Sequence, residues 1–283
     1  MIMKGISLFL VMSASLLAAA AAAAAAAGND DIKWRRDLMD GSRSGCTVPK
    51  ATDISKALGT VKGSTYYAPN GRIYKGGSAA KVAALVIGAQ PVMAPVKEVV
   101  GYSPEEMVKA YPECALSNFF IDTIMDAVEK ASGKKVDVGI GNFGGIRVDM
   151  PKGDVIVDDI RSMFPFRNNI VYVALKGSEV RAILTQMAES HFQVLGGVRV
   201  VAEDGKLVSA EIGGEPIDDG KVYGVATISF LLNGGDNLYV ARDAVEVIEY
   251  PIDIYDAMMG SINALTAAGK PITGHADGRV VIR

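Results

Sequence analysis

The segment Val136-Asp137-Val138-Gly139-Ile140-Gly141-Asn142-Phe143-Gly144-Gly145-Ile146-Arg147 begins apolar and β-branched and ends in glycines, an amide, an aromatic and a guanidinium. Val136 to Ile140 reads as a buried strand that runs directly into a tight turn. The paired Gly144 and Gly145 let backbone N–H groups approach a ligand closely, and Arg147 can fork onto a carboxylate or phosphate. Read alone, a plain tight turn bearing a surface arginine describes the segment at least as well.

On its N-terminal side, Phe120, Ile121, Ile124, Met125 and Val128 form one apolar stripe. They predict a helix from about 117 to 131, closed by Gly133. Ser103-Pro104-Glu105-Glu106 predicts another helix start, with Ser103 as N-cap, Pro104 first and Glu106 returning the capping bond. Further back, Val82, Leu85, Val86 and Ala89 recur at helical spacing, and Pro91 and Pro95 stop that helix before an extended stretch from 96 to 102. From 30 to 77 the chain is polar and glycine-rich, an extension of turns and short strands.

On the C-terminal side, a short helix capped by Asp158 or Asp159 ends before Pro165. Strand 170–175 and a helix with Val180, Ile183, Leu184 and Met187 inward make a β-α unit. Strands 198–201 and 207–212 flank Asp204-Gly205, and strand 222–230 follows Asp218-Asp219-Gly220. An amphipathic helix over 251–267 and a strand over 279–282 close the chain. The pattern gives an α+β or mixed α/β fold, helices packed on a mixed sheet, with no internal repeat.

Two further segments resemble the first in chemistry. Phe164-Pro165-Phe166-Arg167-Asn168 places aromatics in a polar loop, where a phenylalanine is more often packed than exposed. In Phe230-Leu231-Leu232-Asn233-Gly234-Gly235-Asp236 a strand end meets a glycine pair and an acid. Asp236 there can accept hydrogen bonds from paired hydroxyls, or merely cap a turn.

Taken together and in this order, these segments resemble the C-terminal domain of the 5′-nucleotidase family. The resemblance extends from about Ser78 to Arg283 and includes Glu113-Cys114-Ala115-Leu116-Ser117-Asn118 and Gln193-Val194-Leu195-Gly196-Gly197. In that family the domain binds the nucleoside part of a nucleotide and presents its phosphate to a separate two-metal phosphoesterase domain. The resemblance implies that Phe166 and Phe230 sandwich the base, each stack contributing roughly 1–3 kcal/mol whichever the base. It further implies that Asn142 and Arg147, with Gly144, Gly145 and Asn168 beside them, hold polar parts of the nucleotide. By the same resemblance Asp236 would take the ribose hydroxyls, and Gly196 and Gly197 match a position where the family's backbone passes close to the base. Three positions depart from the family: Ala110 stands where an arginine is usual, Ser117 where glycine is usual, and Asn237-Leu238 where a glycine-aromatic pair is usual.

Phosphomonoester hydrolysis in this family needs two metal ions held by several histidines and carboxylates. The chain has two histidines, His191 and His275, without carboxylates at ligand spacing beside them. Asp149, Asp154, Asp158 and Asp159 fall at turn and cap positions. No catalytic residue, metal ligand or cofactor is expected in this chain, divalent metals being expected only in a partner phosphoesterase.

Residues 1–27 have the layout of a secretory signal peptide: Lys4, an apolar stretch and an alanine run ending at Ala27. Roughly 20 apolar residues would also span a bilayer, but the alanine-rich half is weakly hydrophobic and ends in small residues, which favours cleavage. Of the 29 basic side chains only Lys4 lies there, so 28 face 32 acidic ones in the remainder, a balance that gives no case for nucleic-acid binding. The expected organisation is a signal peptide over 1–27, an irregular extension over 28–77 and the family domain over 78–283, in an exported, periplasmic or extracellular protein. Spacing leaves open whether Cys46 and Cys114 pair. Three functions fit: the nucleotide-recognition subunit of a split 5′-nucleotidase acting with a separate metallophosphoesterase chain, a stand-alone exported nucleoside- or nucleotide-binding protein, and an enzyme with independent chemistry.

Overall fold

A computed structural model describes residues 54–283; the expected leader, residues 28–53 of the extension, and Cys46 with its pairing lie outside the described residues. The chain divides into one unit ending at Ile87 and another from Gly88 to Arg283.

In the first unit, helix α1 (Ile54–Leu58) precedes an antiparallel meander of β1 (Thr60–Lys62), β2 (Thr65–Tyr67) and β3 (Ile73–Lys75). The short strands agree with the sequence reading. Cross-strand partners Tyr66 and Tyr74 stack with centroids 5.9 Å apart, and the Tyr66 hydroxyl donates to the Leu58 carbonyl at 2.9 Å.

Helix α2 (Gly77–Met93) crosses the unit boundary and includes Pro91, which the sequence reading has ending it. A proline in a last turn removes only one bond; the chain then tightens into a 3₁₀ turn, Ala94–Lys97, whose start accepts Pro95. Of α2 only Ala80 is buried, and Val82, Leu85, Val86 and Val92 are exposed. Gly77–Lys97 is long and apolar enough, by length and composition, to cross a membrane.

The second unit continues with β4 (Val99–Ser103), α3 (Ala115–Ser132), β5 (Val138–Gly141), β6 (Gly153–Ile156), α4 (Val157–Met163), β7 (Asn169–Lys176) and α5 (Gly177–Glu189). After these come β8 (Val194–Gly196), β9 (Val198–Glu203), β10 (Lys206–Ile212), β11 (Glu215–Pro216), β12 (Val222–Ile228), β13 (Glu246–Asp253), α6 (Ile254–Ala267) and β14 (Val280–Ile282). The main sheet runs β13-β7-β12-β5-β8 and is mixed: β12 is parallel to β5, and every other neighbouring pair is antiparallel. A second sheet runs β11-β10-β9-β14, and β4 pairs with β6. The mixed α/β fold is as read from the sequence.

Helix α3 lies on the main sheet with Phe120, Ile121, Ile124 and Val128 fully buried. Cys114, a buried side chain with no disulfide partner among the described residues, begins it: Ser117 N–H donates to its Sγ at 3.3 Å, and Cys114 N–H donates to Ser117 Oγ at 2.9 Å. Ser117, where the family has glycine, thus completes a reciprocal cap. Gly133 ends the helix at φ 64°.

No helix starts at Ser103. Its hydroxyl donates to the carbonyls of Glu105 (2.7 Å) and Ile272 (3.3 Å) instead of accepting from the backbone at Glu106. Met107 is meanwhile drawn into an antiparallel bridge with Met150. Helix α4 is capped by neither Asp158 nor Asp159 in the N-cap position; Ile156 occupies it, and Asp159 reaches back to accept from Ile156 N–H at 2.8 Å. The turn between β9 and β10 has Asp204 at φ 49° and Gly205 at φ 72°, the two left-handed residues of a tight hairpin.

Strand register explains why one edge of the sheet gathers loops. The ends pair as Ile228 with Ile170, Gly141 with Val194, and Asn169 with Asp253, while β5 and β12 run the same way. The loops after β5 and β12 and those before β7 and β8 therefore emerge side by side.

Candidate functional site

Those loops carry most of the predicted site residues. Asn142 directly follows β5; it is only 4% exposed, and its Nδ2 donates to Asp236 Oδ2 at 2.8 Å. One oxygen of Asp236 is thereby held, while the residue itself is exposed. Asn142 Oδ1 is buried without a hydrogen-bond partner among the described residues.

Phe143–Gly145 folds as a 3₁₀ turn over this amide. A Cβ at Gly145 would lie 2.6 Å from Asn142 Oδ1, so the turn can close only without a side chain there. A Cβ at Gly144 would stand 3.4 Å from Asn142 Nδ2 and 3.8 Å from Asp236 Oδ2, in ordinary contact with both. Phe143 N–H donates to Gln193 Oε1 at 3.1 Å, tying the turn to the residue before β8.

Exposed Arg147 donates from Nη1 to the Gly144 carbonyl at 3.2 Å, and its guanidinium carbon stands 5.7 Å from the Phe166 ring centre. Phe166 is 47% exposed. Read alone, its segment predicts a packed ring; Phe164 takes that place instead, buried against Phe120 with centroids 5.1 Å apart. The half-buried Asn168 accepts the N–H of Ile254 on its carbonyl at 3.0 Å.

Phe230, 44% exposed, lies in the 3₁₀ turn Ser229–Leu231 after β12. Ser229 Oγ accepts from Asn169 N–H at 3.1 Å, so the two phenylalanine-bearing loops are bonded to one another. A Cβ at Gly235 would meet Phe230 O at 2.1 Å and ring carbons at 2.7 and 2.8 Å, which shows how closely the ring lies on that backbone. Asp236 and Asn237 then take φ 49° and 61°. Asparagine tolerates this left-handed region better than most residues, which accommodates it where the family has glycine.

Gly196 and Gly197 are placed differently. Gly196 pairs with Gly139, farther down β5 from the loop edge, and a Cβ on it would meet Met125 Sδ at 2.6 Å and Ile121 at 3.2 Å. A Cβ on Gly197 would meet the Asp137 carbonyl at 2.1 Å. Packing against α3 and β5 is thus a sufficient physical reason for both glycines.

Sequence reasoning assigned no role to Gln193 or Tyr111. Tyr111 stacks on His191 (4.1 Å, 15°) and meets Phe143 edge-on at 6.0 Å. Beside Ala110, Lys109 donates from Nζ to the Ile146 carbonyl at 2.7 Å, a cation next to the Arg147 turn. Glu113 accepts the N–H groups of Gly278 (2.7 Å) and Arg279 (2.8 Å), a purely internal clamp.

The sequence pattern described as "5′-nucleotidase, C-terminal domain" matches residues 94–243, more than half of the chain. The chain belongs to this family. Among its relatives, Protein UshA of Salmonella pullorum is 38% identical over 105 residues, which are 35% of this chain and 19% of that protein. The apyrase of Tabanus yao is 27% identical over 197 residues, 60% of this chain and 35% of that protein. The chain therefore spans only a minor part of either relative. The 5′-nucleotidase precursor of Thermus thermophilus has the same fold, with TM-score 0.63 and 23% identity over 77% of this chain and 48% of that one.

A two-metal centre needs several histidines and carboxylates gathered around the ions. Among the described residues no group of three or more His, Cys, Asp or Glu is arranged to hold an ion. His191 is taken up by Tyr111, and exposed His275 receives Asn118 Nδ2 on its carbonyl at 2.8 Å. The described residues do not fit a two-metal site.

Proposed function

We propose that this chain is the nucleotide- or nucleoside-recognition unit of a split 5′-nucleotidase, supporting phosphomonoester hydrolysis by a separate metallophosphoesterase chain. The observation that carries the reading is the convergence, at one sheet edge, of two half-exposed phenylalanines and an acid oriented by Asn142. Phe166 and Phe230 offer faces for a base, and the unheld oxygen of Asp236 accepts from ribose hydroxyls. Arg147 and Lys109 supply positive charge on the side where a phosphate would lie. The divalent metals and the hydrolytic water belong to the partner. The basic and apolar leader at 1–27 supports export to the periplasm or beyond the cell.

A purified metallophosphoesterase partner assayed with and without this chain tests the reading. Faster AMP hydrolysis in its presence, lost with Phe230→Ala, is expected; equal rates with and without the chain would end it. A second reading, a stand-alone binding protein for nucleosides, draws on Ala110, where the family's arginine is absent. Tighter binding of adenosine than of AMP would favour it.

A further inference from the structure

Helix α5 is fixed to the core by Val180, Leu184 and Met187, all buried, so the side chains of its last turn project from a rigid element. One of them, the exposed Gln186, donates from Nε2 to the Asn237 carbonyl at 2.7 Å. The Gln186 carbonyl accepts from Ser190 Oγ at 2.8 Å, which secures the end of the helix. Beyond it the chain is anchored by the buried Phe192, whose N–H donates to the Tyr111 hydroxyl at 3.3 Å. Gln193 then accepts from Phe143 N–H. The end of α5 and the segment after it are thus bonded to both turns of the site, the one that follows Asn142 and the one that carries Asp236.

The second turn is the one that needs outside support. Asp236 (φ 49°) and Asn237 (φ 61°) are consecutive non-glycine residues in the left-handed region, a conformation that persists where surrounding structure holds it. Bonds within the turn, Asn237 N–H to the Gly234 carbonyl at 3.1 Å and Leu238 N–H to the Gly235 carbonyl at 2.9 Å, give it its shape. They do not set its position against Asn142. That falls to side chains from other elements: Asn142 bonds the Asp236 carboxylate, and Gln186 bonds the next residue's carbonyl. A glycine at 237 would take the left-handed conformation freely. This chain has asparagine there, and Gln186 grips that residue.

We propose that Gln186 is a positioning residue that sets the preference of the site for ribonucleosides over nucleosides without 2′- and 3′-hydroxyls. It acts through the Asp236–Asn237 turn, keeping the Asp236 carboxylate at the spacing from Asn142 at which its second oxygen meets the sugar hydroxyls. The inference rests on the nucleoside reading given above.

The test is calorimetric titration of the full chain with adenosine and 2′,3′-dideoxyadenosine, for the parent, Gln186→Met, Asn142→Ala and the double variant. Methionine keeps the length of the side chain and removes the donor. In Gln186→Met the preference for adenosine is expected to fall roughly threefold to tenfold, the worth of one neutral hydrogen bond. Affinity for dideoxyadenosine and the melting temperature should stay close to the parent's. Once Asn142→Ala has released the carboxylate, the same substitution should change the preference far less, whereas a merely structural role would give equal losses in both backgrounds. A folded parent chain that binds neither nucleoside overturns the nucleoside reading and this inference together. Equal preference in the parent and Gln186→Met, or an equal loss in both backgrounds, overturns the inference alone.

Discussion

Gly235 shows how a single atom can govern the candidate site. The Phe230 ring rests on its backbone so closely that Gly235→Ala must displace the ring or the turn. Adenosine affinity of the full chain is expected to fall at least as far as in Phe230→Ala, with fluorescence or calorimetric titration as the check; unchanged affinity would separate the ring from the ligand. At Asn142 the expected effect is narrower. Asn142→Ala removes the donor that orients Asp236, so discrimination between adenosine and its 2′,3′-dideoxy analogue should shrink by roughly tenfold, the worth of a hydrogen bond to a charged group. Asp277 bears on acid stability: the Arg279 guanidinium bonded to it holds its carboxyl below the ordinary value. A carboxyl lowered on folding stabilises above its unfolded pKa and loses that contribution as pH falls through the folded one. Melting temperature should therefore drop toward the acid end less steeply in Asp277→Asn than in the parent chain. The residues around Arg279 were illegible in the sequence because Asp122 is 157 positions away and Glu113 is 166. Only the fold brings them together.

Local signals served best where packing and capping agree with them. The stripe on α3 and its Gly133 terminus were both legible, since burial of Phe120, Ile121, Ile124 and Val128 reinforces the same periodicity. Gly133→Ala, at φ 64°, should cost about 1 kcal/mol, and Ile124→Ala about 2–5 kcal/mol, both measurable by urea denaturation. Where tertiary bonds compete, the signal misled. Ser103-Pro104-Glu105-Glu106 has every mark of a helix start, yet the Ser103 hydroxyl is spent on Ile272, 169 residues away. The end of strand β13 reads as helix in the sequence because Pro251 suggests a first helical turn. Here Pro251 sits at an irregularity between Glu249 and Asp253 in an edge strand, where its missing N–H costs no ladder bond.

At the scale of the whole unit from Gly88 to Arg283, the organising feature is a parallel pairing that no local pattern contains, that of β12 with β5. It brings the Asn142 turn and the Phe230 loop to the same edge, with the Thr227 hydroxyl donating to the Ile140 carbonyl at 2.9 Å to lock the two strands. Family resemblance singles out Asn142, Arg147, Phe166, Phe230 and Asp236 in the sequence, and the register explains why residues so far apart in the chain lie on loops at one sheet edge. It also shows why Gly196 and Gly197 stand apart, toward the other end of β5 and against α3. Titration of the full chain with adenosine and AMP, with Phe230→Ala in parallel, tests most directly whether this edge is a nucleoside site. Binding by the parent chain, weakened about tenfold or more by loss of one stacking face, is predicted. A folded chain that binds neither ligand, or binds both equally well without the Phe230 ring, would contradict it.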